Sequence, residues 1–116
     1  MRMVEAMDAG PVVLQEEEPI DPIETASELA ARLCELGAQA LVEALALLAV
    51  DAAEEEEQDH SRATYAPKVN RAMARVDWDG EAHTVSNLIR GMDEVPGAWT
   101  VLDDQPGAYS SSTWAM

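Results

Sequence analysis

Apolar residues recur every three or four positions from Ala26 onward. Ala26, Leu29, Ala30, Leu33 and Leu36 trace one stripe, and Leu41, Ala44, Leu45 and Leu48 trace a second beyond Gly37. This is the spacing of an amphipathic helix. Thr25-Ala26-Ser27-Glu28 stands in front of it as a capping box, in which each terminal side chain satisfies the other's free backbone N–H. The pattern predicts helical structure over residues 25–50, as two helices meeting at Gly37. Val85, Leu88 and Ile89 share one face of a further helix over 81–90, with Gly91 at its C-terminal cap.

The period shortens elsewhere. Residues 3–7 lead into Asp8-Ala9-Gly10-Pro11, a cluster of turn formers, and Val12 to Gln15 follow as a strand, predicting a β-hairpin over residues 1–20. Pro19 has no N–H and ends the pairing. A lone hairpin is marginal in water, so these strands need a sheet from outside the chain. Val69 to Val76 predict a short helix after the extended Ala66-Pro67 step. Ala98 to Leu102 predict a short strand after Pro96-Gly97. The acidic run from Asp51 to Asp59 reads as a solvated linker, and Asp104 to Met116 as a tail.

Composition narrows the class. The chain has 116 residues, 47% of them hydrophobic, which suffices for one small core. Aromatics are 4% with no Phe, so packing rests on aliphatic residues and favours short helices over a sandwich or barrel. Twenty-three acids against seven bases give a net charge of −16, which disfavours non-specific binding to phosphate backbones. The bases are clustered: Arg62, Lys68, Arg71, Arg75 and Arg90 share a stretch with three acids, Asp77, Asp79 and Glu81. Any contact with a polyanion belongs there. Cys34 is the one cysteine and forms no disulfide framework. With no apolar run of spanning length and no signal-type segment at the start, the chain is expected in the cytoplasm, away from membranes.

Single residues carry little chemistry by themselves. Asp8 followed by Ala-Gly-Pro is an ordinary hairpin turn. His60 and His83 lack partners at ligand-like spacing, Cys34 lies on an apolar stripe, and Glu54 to Glu57 lack the alternation of a cation loop, so no metal site is expected. Trp78 and Trp99 sit beside apolar residues and are expected as core anchors.

Three segments together resemble the 10-formyltetrahydrofolate-dependent formyltransferase superfamily. Met7-Asp8-Ala9-Gly10-Pro11-Val12-Val13-Leu14-Gln15 is similar to the strand-turn-strand that follows the folate-binding loop of these enzymes. Residues 63–69 with Arg75-Val76-Asp77-Trp78, and Asn87-Leu88-Ile89-Arg90-Gly91 with Pro96-Gly97-Ala98-Trp99-Thr100, resemble the linker and C-terminal-domain entrance of methionyl-tRNA formyltransferase. Glycinamide ribonucleotide formyltransferase ends before such a linker. The hydrolase domain of 10-formyltetrahydrofolate dehydrogenase carries a similar one and stays open as an alternative, as does a non-catalytic remnant or interaction module. The resemblance covers about residues 1–102.

The resemblance implies an α/β fold by ancestry, the end of a nucleotide-type fold plus a linker. Within this chain the expectation is mainly helical, with the N-terminal hairpin and the short C-terminal strand. Residues 1–50 correspond to the end of the catalytic domain, 51–62 to an acidic linker, 63–102 to the linker and start of the C-terminal domain, and 103–116 to a tail. The implied activity is transfer of formyl from 10-formyltetrahydrofolate to the amino group of methionyl-tRNA. Such a reaction passes through a tetrahedral oxyanion and needs an oxyanion donor and a proton carrier. The family supplies these from an Asn-x-His motif, absent here, and an Asp that corresponds to Asp8. The chain alone is therefore expected to be inactive and to bind 10-formyltetrahydrofolate poorly. Lys68, Arg71, Arg75 and Arg90 resemble linker bases on the tRNA side, and ordinary surface charge is an equal alternative. Initiator methionyl-tRNA is the implied partner, held weakly or not at all by this chain alone, and the open hairpin edge offers self-association.

Overall fold

A computed structural model describes residues 1–102 and 105–108. The order of elements is helix α1 (Ala26–Ala49), a 3-10 turn (His60–Arg62), helix α2 (Ala82–Met92), strand β1 (Trp99–Leu102) and strand β2 (Gln105–Ala108). The chain is mainly helical, as expected. Contacts divide it into two units: Met1–Pro19 with Arg32–Ala66, and Ile20–Ala31 with Pro67–Met116.

The capping box before α1 forms reciprocally. The Thr25 N–H donates to Glu28 Oε2 at 2.8 Å, and the Glu28 N–H donates to Thr25 Oγ1 at 3.3 Å. The helix then runs unbroken through Gly37, where two helices were expected. A helical Gly costs about 1 kcal/mol relative to Ala, and stops a helix only where the chain turns left-handed. Gly37 is followed by Ala38-Gln39-Ala40-Leu41, all good helix formers, so continuing costs less than breaking. The true stop is at Asp51, in the left-handed region at φ 55°. Its N–H reaches Leu48 O at 3.3 Å and the Ala52 N–H reaches Leu47 O at 2.9 Å. These two bonds are a Schellman closure, with Asp in the place usually held by Gly.

In the first unit the expected hairpin over residues 1–20 is not present as a ladder. Instead the Arg2 N–H donates to Pro11 O at 2.9 Å, and Val12 makes an isolated antiparallel bridge with Glu56. Gly10 is buried at this crossing, and a Cβ there would stand 1.8 Å from Arg2 O. The acidic stretch is consequently more than a solvated linker: its backbone satisfies Val12 in both directions, at 2.8 and 2.9 Å. Two strands without a sheet leave half their amides unsatisfied, and the nearest partner strand is this run.

The second unit holds the core. Ala74 and Ala98 are fully buried, Val76 is 4% exposed and Ile89 6%, with Val85, Leu88 and Met92 packed around them. Residues 74–76 are extended against β1: the Val76 N–H donates to Trp99 O at 2.8 Å and the Trp99 N–H to Ala74 O at 3.0 Å. Side chains alternate on such a backbone. Ala74, Val76, Ala98 and Thr100 face inward, while Arg75, Trp99 and Val101 face outward. The short helix expected over 69–76 is thereby limited to a turn. Asn70 Oδ1 accepts the N–H groups of Ala72 and Met73 at 3.0 and 3.1 Å, and the strand-like pairing with Trp99 takes over at Ala74.

Helix α2 passes through Gly91 and ends at an Asp93 cap, two residues later than expected, because Gly91 keeps helical geometry. Gly97, at φ 80°, makes the left-handed step that turns the chain into β1, and its N–H reaches Met92 O at 3.0 Å. The expected short C-terminal strand is present, and β2 pairs with it antiparallel, Trp99 opposite Ala108 and Leu102 opposite Gln105. Residues 105–108 of the expected tail therefore form a strand, and residues 109–116 lie outside the described ones.

Candidate functional site

The alternation that buries Val76 and Ala98 places Arg75 and Trp99 side by side on the outer face. The Trp99 ring carries two guanidinium groups: Arg71 lies 4.9 Å from the ring centroid and Arg75 5.9 Å. The Trp99 indole N–H donates to Arg71 O at 2.6 Å, which fixes the ring beneath them. Trp99 is half-buried, so it anchors the turn and presents a face at once. Each exposed cation–π contact is worth about 0.5–1 kcal/mol. Lys68, a few residues upstream, is exposed and makes no hydrogen bond or ion pair to described residues. Neither Arg71 nor Arg75 is paired with a carboxylate among the described residues, so this face keeps its positive charge in a chain of net charge −16.

Arg90 goes elsewhere. It is half-buried, with Nε donating to Asn87 Oδ1 at 2.9 Å and Nη1 donating to Glu24 O at 3.0 Å and Asp21 O at 3.2 Å. Of the four bases singled out from sequence, the structure brings Arg71 and Arg75 together and sends Arg90 to backbone carbonyls.

Trp78 is 51% exposed, so it is not the buried anchor expected. Its indole N–H donates to Thr100 Oγ1 at 2.9 Å, and its ring lines a groove of about 590 Å³ with Pro22, Ile23, Val85 and Ile89. Holding the polar tip at Thr100 leaves the ring half in water.

Asp8 lies in the first unit, exposed and left-handed at φ 54°. Asp tolerates that region better than most residues, as a turn requires. The Gln58 side-chain amide crosses to this turn, donating to Asp8 O at 2.9 Å and Gly10 O at 2.6 Å. His60 lines the same groove as Asp8, and no hydrogen bond joins the two side chains among the described residues. Nearby, the Arg2 guanidinium grips Glu55 and holds its carboxyl below the usual carboxylate range. Asp59 is lowered too, because the Ser61 hydroxyl and backbone N–H both donate to it. Among the described residues no group of His, Cys, Asp or Glu is arranged to hold a metal, and no helix is long and apolar enough to cross a membrane.

The stretch bearing the Trp99 face coincides with a known domain: residues 68–110 match the formyl transferase C-terminal domain. Most of the chain aligns with methionyl-tRNA formyltransferases. That of Thermotoga maritima is 46% identical over 101 residues, 87% of this chain and 32% of the relative. That of Roseobacter denitrificans is 45% identical over 104 residues, 90% of this chain and 33% of the relative. That of Chlorobium phaeovibrioides is 42% identical over 96 residues, 83% and 30% respectively.

Residues 68–110 are thus similar to a formyl transferase C-terminal domain, and most of the chain is similar to methionyl-tRNA formyltransferases.

It spans about a third of the length of the curated relatives it matches. Within the matched stretch, the Trp99 face is a positively charged feature that the described residues assemble, and Asp8 lies outside that stretch. Sequence reasoning missed Asn87 and Asn70 as orienting side chains. An Asn three residues before Arg90, on the same helical face, was the available signal.

Proposed function

We propose that this chain works as part of a methionyl-tRNA formyltransferase, in the transfer of formyl from 10-formyltetrahydrofolate to the amino group of methionyl-tRNA in the cytoplasm. The observation that carries the proposal is the identity of 42–46% to enzymes of that name across most of the chain. Residues 1–50 then correspond to the end of the catalytic domain, 51–62 to an acidic linker, 63–102 to the linker and start of the C-terminal domain, and 103–116 to a tail. Residues 3–7 and 12–15 become strands when the rest of the enzyme supplies a sheet.

Lys68, Arg71 and Arg75 are the tRNA-facing bases in this proposal. A guanidinium pair spread on an indole is held in place before a phosphate arrives, so less side-chain freedom is lost on contact. Each phosphate contact adds modest, salt-sensitive affinity, and three such bases against −16 overall support a larger surface without holding a tRNA alone. Arg90, turned to the carbonyls of Asp21 and Glu24, is assigned no phosphate contact. Asp8 is the family's acid, whose work is to orient and charge-stabilise a proton-carrying His. The groove around Asp8 offers His60 but no hydrogen bond to it, so no step is assigned to that pair.

The test is a formylation assay on two proteins. The 116-residue chain alone, given 10-formyltetrahydrofolate and methionyl-tRNA, is expected to yield no formyl-methionyl product. The chain joined to the remainder of a relative, such as the Thermotoga maritima enzyme, is expected to be active. In that fusion, replacing Lys68, Arg71 and Arg75 with Ala should raise the KM for tRNA several-fold and leave kcat nearly unchanged. An active fusion indifferent to the triple substitution would remove the RNA role. Turnover by the chain alone, lost in Asp8→Ala, would show that the active site is complete here.

A further inference from the structure

We propose that Arg90 is a positioning residue, a clasp that ties the Asp21–Glu24 turn and the start of α1 to helix α2, and that Asn87 aims it. The turn is closed on itself by short polar bonds. The Asp21 N–H donates to Glu24 Oε1 at 2.6 Å, the Ile23 N–H to Asp21 Oδ1 at 2.9 Å, and the Glu24 N–H to Asp21 O at 3.3 Å. Asp21 O, which already accepts the Glu24 N–H, and Glu24 O converge on one side. One nitrogen of Arg90, Nη1, meets both.

Geometry explains why the residue is Arg and why Asn precedes it by three positions. A planar guanidinium offers donors in a fixed fork, so Nε can hold Asn87 Oδ1 while Nη1 reaches the carbonyls. Lys carries its donors on one flexible point and cannot serve both directions. Asn87 and Arg90 are neighbours on the helix surface, so the amide fixes the guanidinium plane from within α2. A second tie lies one turn further on each helix, where Ser27 Oγ donates to Asp93 Oδ2 at 2.5 Å. One tie lies just before the capping box of α1 and the other within it, so the start of that helix is held at two points. The acceptors of Arg90 are neutral oxygens. It therefore works by shape and donor placement, with its charge secondary, which sets it apart from Arg71 and Arg75.

Residue-resolved hydrogen exchange on the full 116-residue chain tests this, comparing Arg90→Ala, Arg90→Lys, Asn87→Ala and the double Asn87→Ala/Arg90→Ala variant. In Arg90→Ala the amides of Glu24, Thr25 and Leu29 should exchange at least tenfold faster, with Val76 and Trp99 nearly unchanged. Arg90→Lys should fail to restore the slow rates although it keeps the charge. Asn87→Ala should give a smaller acceleration at the same amides, and the double variant no more than Arg90→Ala alone. Should Arg90→Ala unfold the unit, Asn87→Ala carries the decision, because it leaves the guanidinium and the core in place. Unchanged exchange at Glu24 to Leu29 in a folded variant would overturn the clasp. Full rescue by Arg90→Lys would also overturn it, assigning the effect to charge.

Discussion

Helices α1 and α2 differ in what their apolar stripes meet. The longer helix has the longer stripe and the better cap, yet none of its residues is buried, and Leu41, Val42 and Leu45 are each more than half exposed. The shorter one has an unassisted N-terminus, where Glu81 makes no side-chain cap bond, yet it places Ile89 in the core. A stripe specifies which face seeks burial, and says nothing of whether the chain contains something to bury it against. Helices of ordinary length take most of their stability from tertiary packing. In this chain that packing is supplied to α2 by the strand-like pairing of residues 74–76 with β1, and both arrive from the stretch that matches the C-terminal domain.

The comparison breaks most visibly at the core. Ile89→Ala removes the largest buried side chain there and should cost about 2–5 kcal/mol, enough to melt the second unit of a small protein. Leu41→Gln on α1 removes an equally apolar side chain and should change thermal stability by less than about 0.5 kcal/mol, because that position is already in water. Paired melting curves read both. An equal loss in the two variants would mean that the stripe of α1 is covered in solution.

A smaller effect is expected in the first unit. Gly10→Ala places a methyl group where Arg2 O stands, so the backbone must part, at a cost of about 1–3 kcal/mol on the scale of an overpacked site. The change should release the Val12–Glu56 bridge, seen as loss of amide protection at Val12 and Glu56, with Val76 and Ile89 unaffected. Spread of the disturbance to Val76 would contradict the division into separate contact units.

The smallest concerns pH. Arg2 holds the Glu55 carboxyl below its ordinary value of 4.5, so the stabilisation is present above that value and is lost as pH falls through the lowered one. Both side chains are solvent-accessible, so salt should weaken the pairing. A proton titration followed at Glu55 should show a midpoint below the ordinary carboxylate value, and the lowering should vanish in Arg2→Ala.

These differences also mark what was legible in the sequence. The capping box at Thr25 and Glu28, the strand after Gly97 and the helical face of Val85, Leu88 and Ile89 were legible because each depends on neighbours a few residues away. The end of α1 at Asp51 was not, since Asp in a left-handed cap gives a weaker signal than Gly, and Gly37 gave a false one. The turn at residues 71–75 was set by a partner, Trp99, more than twenty positions downstream, which no local period records. The four bases were grouped in the sequence by charge and by likeness to linker bases, neither of which records what each side chain meets. Only the alternation of residues 74–76 against β1 puts Arg71 and Arg75 on Trp99, and only the fold brings two carbonyls from residues 21 and 24 to Arg90.

The central claim is that the stable part of this chain is the small core around Val76, Ile89 and Ala98, despite the stronger local signals in α1. Native-state hydrogen exchange tests it most directly, because each amide reports the opening that frees it. The slowest exchange is expected at the Val76 and Trp99 amides, which bond each other's strand at 2.8 and 3.0 Å, with α1 amides from Leu33 to Leu48 exchanging faster. Slower exchange along α1 than at Val76 and Trp99 would contradict the account and place the stable core on the long helix.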